Sequence, residues 1–227
     1  MIRHLTTIDD FKQCIRIQRE AWGFQDIDMV PIPLFVLARD GGGIVIGKEI
    51  DGKIVGFAYS FPLYKGEWVQ HSHMLAVLPE YQGRGIGYEL KMKQREIAIE
   101  MGYRKIQWTF DVLQAKNAYF NLHKLGVIVR EYLPNYYGEI SSTLYSGLPT
   151  DRLLAEWFIK EERKKKEVLA RVEIPADIQK LKSENIKEAE RWQERIRKEL
   201  TELFSRGYYI FDVERKEGRV FYLLTHD

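Results

Sequence analysis

His71-Ser72-His73-Met74-Leu75-Ala76-Val77-Leu78-Pro79-Glu80-Tyr81-Gln82-Gly83-Arg84-Gly85-Ile86-Gly87 is the stretch on which the fold of this 227-residue chain turns. It opens as alternating text, which predicts a strand with His71, His73, Leu75 and Val77 on one face. Pro79 breaks the alternation, glycines stand at 83, 85 and 87, and a helical pattern follows from about Gly85 to Met101. A strand, a glycine-rich turn and a helix start together make an anion site. The first-turn N–H groups have no partner within the helix, and the helix dipole adds positive potential there. Glycine allows positive φ and close backbone approach, and Arg84 supplies a full positive charge.

Spacing separates the phosphate-binding motifs that could use such a turn. A dinucleotide fingerprint G-x-G-x-x-G would need glycine where Tyr88 or Leu90 stands, and no Walker-type loop is present. The pattern that does match is Gln or Arg, two free positions, Gly, one free position, then Gly or Ala, met here by Gln82, Gly85 and Gly87. With Leu-Ala-Val and Pro-Glu-Tyr before it and a helix after it, this stretch resembles the acyl-CoA-binding motif of the GNAT superfamily of N-acyltransferases. The resemblance implies that Gln82, Gly83, Arg84, Gly85, Ile86 and Gly87 hold the pyrophosphate of acetyl-CoA or another acyl-CoA. It also implies that the backbone of Leu75, Ala76 and Val77 receives the thioester and pantetheine, with the Val77 N–H as oxyanion donor.

The order of elements along the chain agrees with that fold. A short strand at 2–6 precedes a helix capped by Thr7 or Asp9, and a second short helix is read at 34–38. Strands at 44–50 and 54–61 flank an Asp51-Gly52 hairpin turn, and a third strand spans 67–77. After the glycine helix come a strand at 105–110, a helix at 114–125 ended by Gly126, a strand at 127–133 and a return strand at 140–144. The fold class read from this is α/β, a mixed GNAT-like sheet, over residues 1–148, with an α+β C-terminal extension over 149–227. The extension reads as a strand at 152–159, a long helix at 176–204 with one apolar stripe, and a hairpin around Lys216-Glu217-Gly218. The helix, Gly, strand, turn, strand order at 190–224 repeats that at 114–145, which ordinary α+β packing explains as readily as duplication does.

Composition narrows the partners. With 45% hydrophobic and 13% aromatic residues the chain can build a core, so disorder throughout is not expected. Lys+Arg 35 against Asp+Glu 33 is too balanced for nucleic acid or an anionic membrane to be the main partner. The single cysteine, Cys14, excludes an intrachain disulfide and a cysteine-based metal site, and reads as helix packing. With no apolar run long enough to span a bilayer and no signal peptide, a cytoplasmic protein without bound metal is expected.

Acyl transfer to an amine needs a base, oxyanion donors and a way to protonate the leaving thiolate. His71 and His73 are both candidate bases, His71 standing where several family members carry glutamate; cross-sheet hydrogen bonding is the structural alternative for each. The family's usual acid, a tyrosine one turn further along the helix after the fifth strand, is replaced here by Leu122. Tyr119 is then the candidate acid and Asn117 a candidate pantetheine contact. Trp22 through Pro33 and Tyr132 through Tyr137 are expected to wall the acceptor site, which points to a small-molecule amine or amino acid as acceptor. The extension would close that site or make a homodimer. The competing functions are an acyl-CoA-binding regulatory or scaffold module without turnover and a protein or peptide N-acetyltransferase.

Overall fold

The computed structural model describes residues 1–138 and 147–226. The chain forms two compact units, residues 1–107 and, of the described remainder, 108–138 and 147–226. The first unit contains β1 (Ile2–His4), α1 (Ile8–Trp22), α2 (Ile32–Asp40), β2 (Ile44–Ile50), β3 (Lys53–Tyr64), β4 (Trp68–Val77), α3 (Ile86–Glu100) and the start of β5 (Lys105–Asp111). Thr7 caps α1 through a reciprocal box: its hydroxyl accepts the Asp10 N–H, and the Asp10 carboxylate accepts the Thr7 N–H. Asp51 and Gly52 both take positive φ, as a tight hairpin between β2 and β3 demands.

Strands β1 to β4 pair antiparallel in chain order, and β5 adds to β4 in parallel. The apolar core between sheet and helices is aromatic: Phe35 stacks on Phe11 at 5.5 Å and meets Tyr59 edge-on at 4.9 Å. Each such ring buried contributes on the order of 2 kcal/mol, so α1 and α2 are fixed firmly on β3. Cys14 is buried in this core, and burial pushes its thiol pKa up, as packing rather than chemistry requires.

The second unit contains the end of β5, α4 (Ala115–Ala118) running into a π-helical turn (Tyr119–Lys124), β6 (Ile128–Leu133), β7 (Arg152–Phe158), β8 (Ala170–Ile174), α5 (Ile178–Glu184), α6 (Ile186–Ser205), β9 (Tyr208–Lys216) and β10 (Arg219–His226). Its strands lie in the order β7-β6-β9-β10-β8. The boundary between compact units falls inside β5 rather than at 148/149, where the text changes. The reason is a shared core: Trp108 meets Trp157 edge-on at 6.0 Å, and the Tyr222 hydroxyl donates to the Val112 carbonyl at 2.7 Å. The end of β5 and the residues just after it are therefore tied to the segment that follows Pro149.

Three local readings change. The helix read at 176–204 is two helices, because Asn185 adopts an extended conformation and its side chain caps α6 through the Glu188 N–H. The helix read at 114–125 widens after Ala118, where Leu125 N–H reaches back to the Phe120 carbonyl. A strand at 170–174 was not separated from its charged surroundings, and it pairs with β10. The return strand expected at 140–144 lies outside the described residues. Among the described residues no helix is long and apolar enough to cross a membrane.

One partly exposed ion pair, with its carboxylate buried, ties segments of the second unit together. The Asp151 carboxylate is inaccessible to solvent and receives two hydrogen bonds from Arg197 at 2.9 Å, one from the Asn135 N–H at 2.9 Å and one from the Tyr132 hydroxyl. Arg197→Met strands a buried carboxylate but leaves two of its donors, so a loss of about 2 kcal/mol is expected in urea unfolding. An unchanged midpoint would show that Arg197 contributes nothing net.

Candidate active site

The site is built on β4 and the turn that follows it. β4 keeps β3 beside it along its whole length, but its register with β5 holds only for Gln70 opposite Ile106 and His71 opposite Gln107. Beyond His71 no further register pair with β5 is present among the described residues. Among the described residues, one edge of β4 from His73 to Val77 has no partner strand, which leaves its backbone groups available to a ligand. Leu75 and Val77 are half-buried there and Ala76 is buried, where the oxyanion donor is expected.

His73 is the extra residue of a β-bulge: Tyr59 pairs with Met74 while the next residue, Ser60, pairs with Ser72. The bulge interrupts simple alternation yet leaves the two imidazoles together, with ring centres 6.2 Å apart. Phe61 lies 5.3 Å from His71 and 5.9 Å from His73. His71 is only 7% exposed, and its Nδ1 has no hydrogen-bond partner. Burial first, then the charges of His73, Lys65 and Lys91, lower its pKa to about 4. His73 keeps open surface but is ringed by Tyr59, Phe61 and His71, and desolvation lowers its pKa too. Both imidazoles are thus neutral near pH 7 and can accept a proton.

Beneath β4 lies a polar group that the sequence reading missed. The Lys91 ammonium on α3 is 2% exposed and donates to the Ser72 hydroxyl at 2.8 Å and to Gln94 Oε1 at 3.1 Å. Desolvation drives its pKa well below the usual lysine value. The signal was legible: Lys91, Gln94 and Ala98 share a helical stripe that faces inward. Gln107 was missed as well, a polar side chain in the middle of an apolar strand, 2% exposed and with an unpartnered Nε2.

At the other end of β4, the Gln82 side chain donates to the Val77 carbonyl at 3.0 Å and ties the turn to the strand. Gly83 and Gly85 take φ of 74° and 83°, the left-handed region open to glycine, and a Cβ at either would meet nothing within 4 Å. Gly85 is the N-cap of α3 and no side chain caps the helix, so its first-turn amides face open space. Arg84 is exposed with its guanidinium 5.2 Å from the Tyr81 ring, and Glu89 in the first turn is neutralised by Lys48. These features fit the pyrophosphate of a coenzyme A: free amides, an open cradle and an exposed cation.

Tyr119 and Asn117 belong to the second unit. Both are exposed, and the Tyr119 ring stacks on His123 at 4.7 Å, with Lys124 Nζ 5.7 Å from its centre. His123 Nδ1 lies 3.1 Å from Asp212 Oδ1, and Asp212 Oδ2 pairs with Arg163 at 2.7 Å. Asn121, one turn from Asn117, is buried and accepts the Trp108 indole N–H at 3.0 Å, so its role is packing. Of the expected acceptor walls, the 22–33 segment is pinned by Gln18, whose side chain bonds both the N–H and the carbonyl of Val30. In the other, Tyr132 is committed to Asp151, and the Tyr137 hydroxyl lies 2.9 Å from the Thr109 hydroxyl.

Residues 9–126, just over half of the chain, match the model of the Acetyltransferase (GNAT) family. An N-acetyltransferase of Archaeoglobus fulgidus whose role is uncharacterised is 34% identical over 103 residues, a match covering 40% of this chain and 69% of that one. Among solved structures, the ribosomal-protein-S18-alanine N-acetyltransferase from Escherichia coli superposes with a TM-score of 0.57 at 16% identity, covering 74% of this chain and 98% of that one. A GNAT family acetyltransferase from Elizabethkingia anophelis with acetyl-CoA bound gives 0.53 at 19% identity, covering 70% and 97%. The chain belongs to the GNAT acetyltransferase family, and the reaction it catalyses is acyl transfer from an acyl-CoA cosubstrate.

Proposed function

We propose that this enzyme transfers an acetyl group from acetyl-CoA to the primary amine of a small molecule or amino acid by direct attack, in the cytoplasm. The observation that carries the reading is the pair of neutral imidazoles beside the edge of β4 that has no partner strand among the described residues. That a GNAT structure of the same fold was solved with acetyl-CoA favours an acetyl donor over longer chains.

In the reaction the amine nitrogen bonds to the thioester carbonyl carbon, the carbon–sulfur bond breaks, the thiolate leaves and the nitrogen loses one proton. An imidazole whose conjugate acid has a pKa of about 4 cannot draw a proton from a free ammonium ion at useful cost. Its task comes later. Once nitrogen is bonded to the carbonyl carbon, its N–H is far more acidic, and His71 can take that proton with His73 beside it. The desolvation that keeps His71 neutral also disfavours an ammonium ion in the pocket, so the neutral amine is the form bound. The backbone N–H of Val77 is the proposed oxyanion donor, acting through its position on the free edge.

His71→Ala is expected to lower kcat on the order of 100-fold, and His73→Ala by less. For the wild type, kcat/KM rises with pH following the ionisation of the amine, with no inflection near the ordinary histidine pKa. Rates unchanged in both variants would make the histidines structural. Tyr119→Phe tests the thiolate step: a fall in kcat of at least about ten-fold assigns the proton to Tyr119, and an unchanged kcat assigns it to solvent. A panel of amino acids against peptides with the same N-terminal residues tests the acceptor class, and faster turnover of the peptides would overturn it.

A further inference from the structure

Two buried polar side chains of the first unit lack partners on the same row of the sheet. His71 on β4 and Gln107 on β5 stand opposite each other in a parallel register, so their side chains leave the same face about 4.8 Å apart. The burial of each exceeds nine-tenths, and His71 Nδ1 and Gln107 Nε2 both lack a hydrogen-bond partner. A buried amide donor without an acceptor costs stability, and two orphans side by side are the pattern a ligand satisfies. Lys91 and Ser72 cannot serve them: Ser72 follows His71 on the strand, points to the opposite face and is bonded to Lys91.

We propose that His71 and Gln107 form one acceptor subsite, selecting amines that carry a carbonyl oxygen on the adjacent carbon. In an α-amino carbonyl group the nitrogen and oxygen lie about 3 Å apart, so two side chains about 4.8 Å apart on a row can each reach one of them with a hydrogen bond of about 2.9 Å. The amine nitrogen donates to His71 Nδ1 while Gln107 Nε2 donates to the carbonyl oxygen. The face of Phe61 beside His71 covers the carbon between them. A plain alkylamine leaves Gln107 unsatisfied, and sites built to hydrogen-bond an oxygen discriminate strongly against analogues lacking it. This inference rests on the acyltransfer reading above and narrows its acceptor class.

The test compares alaninamide with sec-butylamine, which keeps the branched carbon and lacks the oxygen, using acetyl-CoA and the wild type, Gln107→Leu and Gln107→Met. Comparing the ratio of kcat/KM for the two amines between wild type and variant cancels their difference in basicity. The wild type is expected to favour alaninamide, and both variants to lose roughly ten-fold of that preference, chiefly through KM for alaninamide. Turnover of sec-butylamine and thermal stability should be held or improved, since an apolar group replaces an orphan. A purely structural Gln107 would leave the ratio unmoved, and that result in either folded variant overturns the subsite alone. A wild type that releases no thiol with either amine, nor with a pool of other small amines and amino acids, overturns the small-amine acceptor reading and this inference together.

Discussion

Gly85→Glu is expected to weaken binding of acetyl-CoA severely and to leave the fold in place. The cradle has room, since a Cβ at Gly85 meets nothing within 4 Å, so the cost to folding is the left-handed backbone conformation at φ 83°. That strain is about 1 kcal/mol, small beside the stability of a domain of this size. The carboxylate, however, would sit at the N-terminus of α3, where it satisfies the free amides itself and repels a pyrophosphate. Loss of the amide contacts plus repulsion is expected to weaken affinity at least about 100-fold. Gly85→Ala separates the causes: it carries the strain without the charge and should weaken binding far less. Calorimetry showing equal affinity for wild type and Gly85→Glu would remove the loop from the site.

The second large effect is on stability and is governed by pH. His71 has a folded pKa of about 4 against the ordinary 6.5, because burial and nearby positive charges disfavour the imidazolium. Between those values the unfolded chain binds a proton that the folded chain refuses. Stability contributed by the neutral imidazole is therefore present above pH 6.5 and lost as pH falls towards 4. The loss amounts to roughly 3 kcal/mol at pH 4. His71→Phe should be at least as stable as wild type at pH 7, since it removes an orphan nitrogen and places a ring beside Phe61. Its stability should also fall less steeply on acidification. Urea titrations at several pH values measure this, and parallel curves for the two proteins would show that His71 is not the group responsible.

Elements whose boundaries depend on local chemistry were legible in the sequence. Thr7, the Asp51-Gly52 turn, the β4 strand and the glycine helix start stand where their side chains and backbone preferences demand. What escaped was set by partners distant in sequence. The bulge at His73 exists only in the pairing of β4 with β3, so alternation along β4 could not contain it. Asn185 reads as an ordinary polar position on a helix until its side chain is seen capping α6. The text change after Pro149 suggested a domain edge, but Trp157 and Tyr222 bury against residues of 108–112, and no linear pattern records that. The same limit applied to the site. The glycine loop was readable because the role proposed for it lies in the backbone, whereas Gln107 became noticeable only through its place beside His71 and its lack of a partner.

Steady-state release of free thiol from acetyl-CoA, followed alongside N-acetyl product with a pool of small amines and amino acids, decides whether this enzyme acetylates small amines. Amine-dependent thiol release matched one for one by acetylated amine, at rates that rise with pH, is the expected result. Tight binding of acetyl-CoA without amine-dependent release of thiol would contradict it and mark the chain as an acyl-CoA-binding module that has lost turnover.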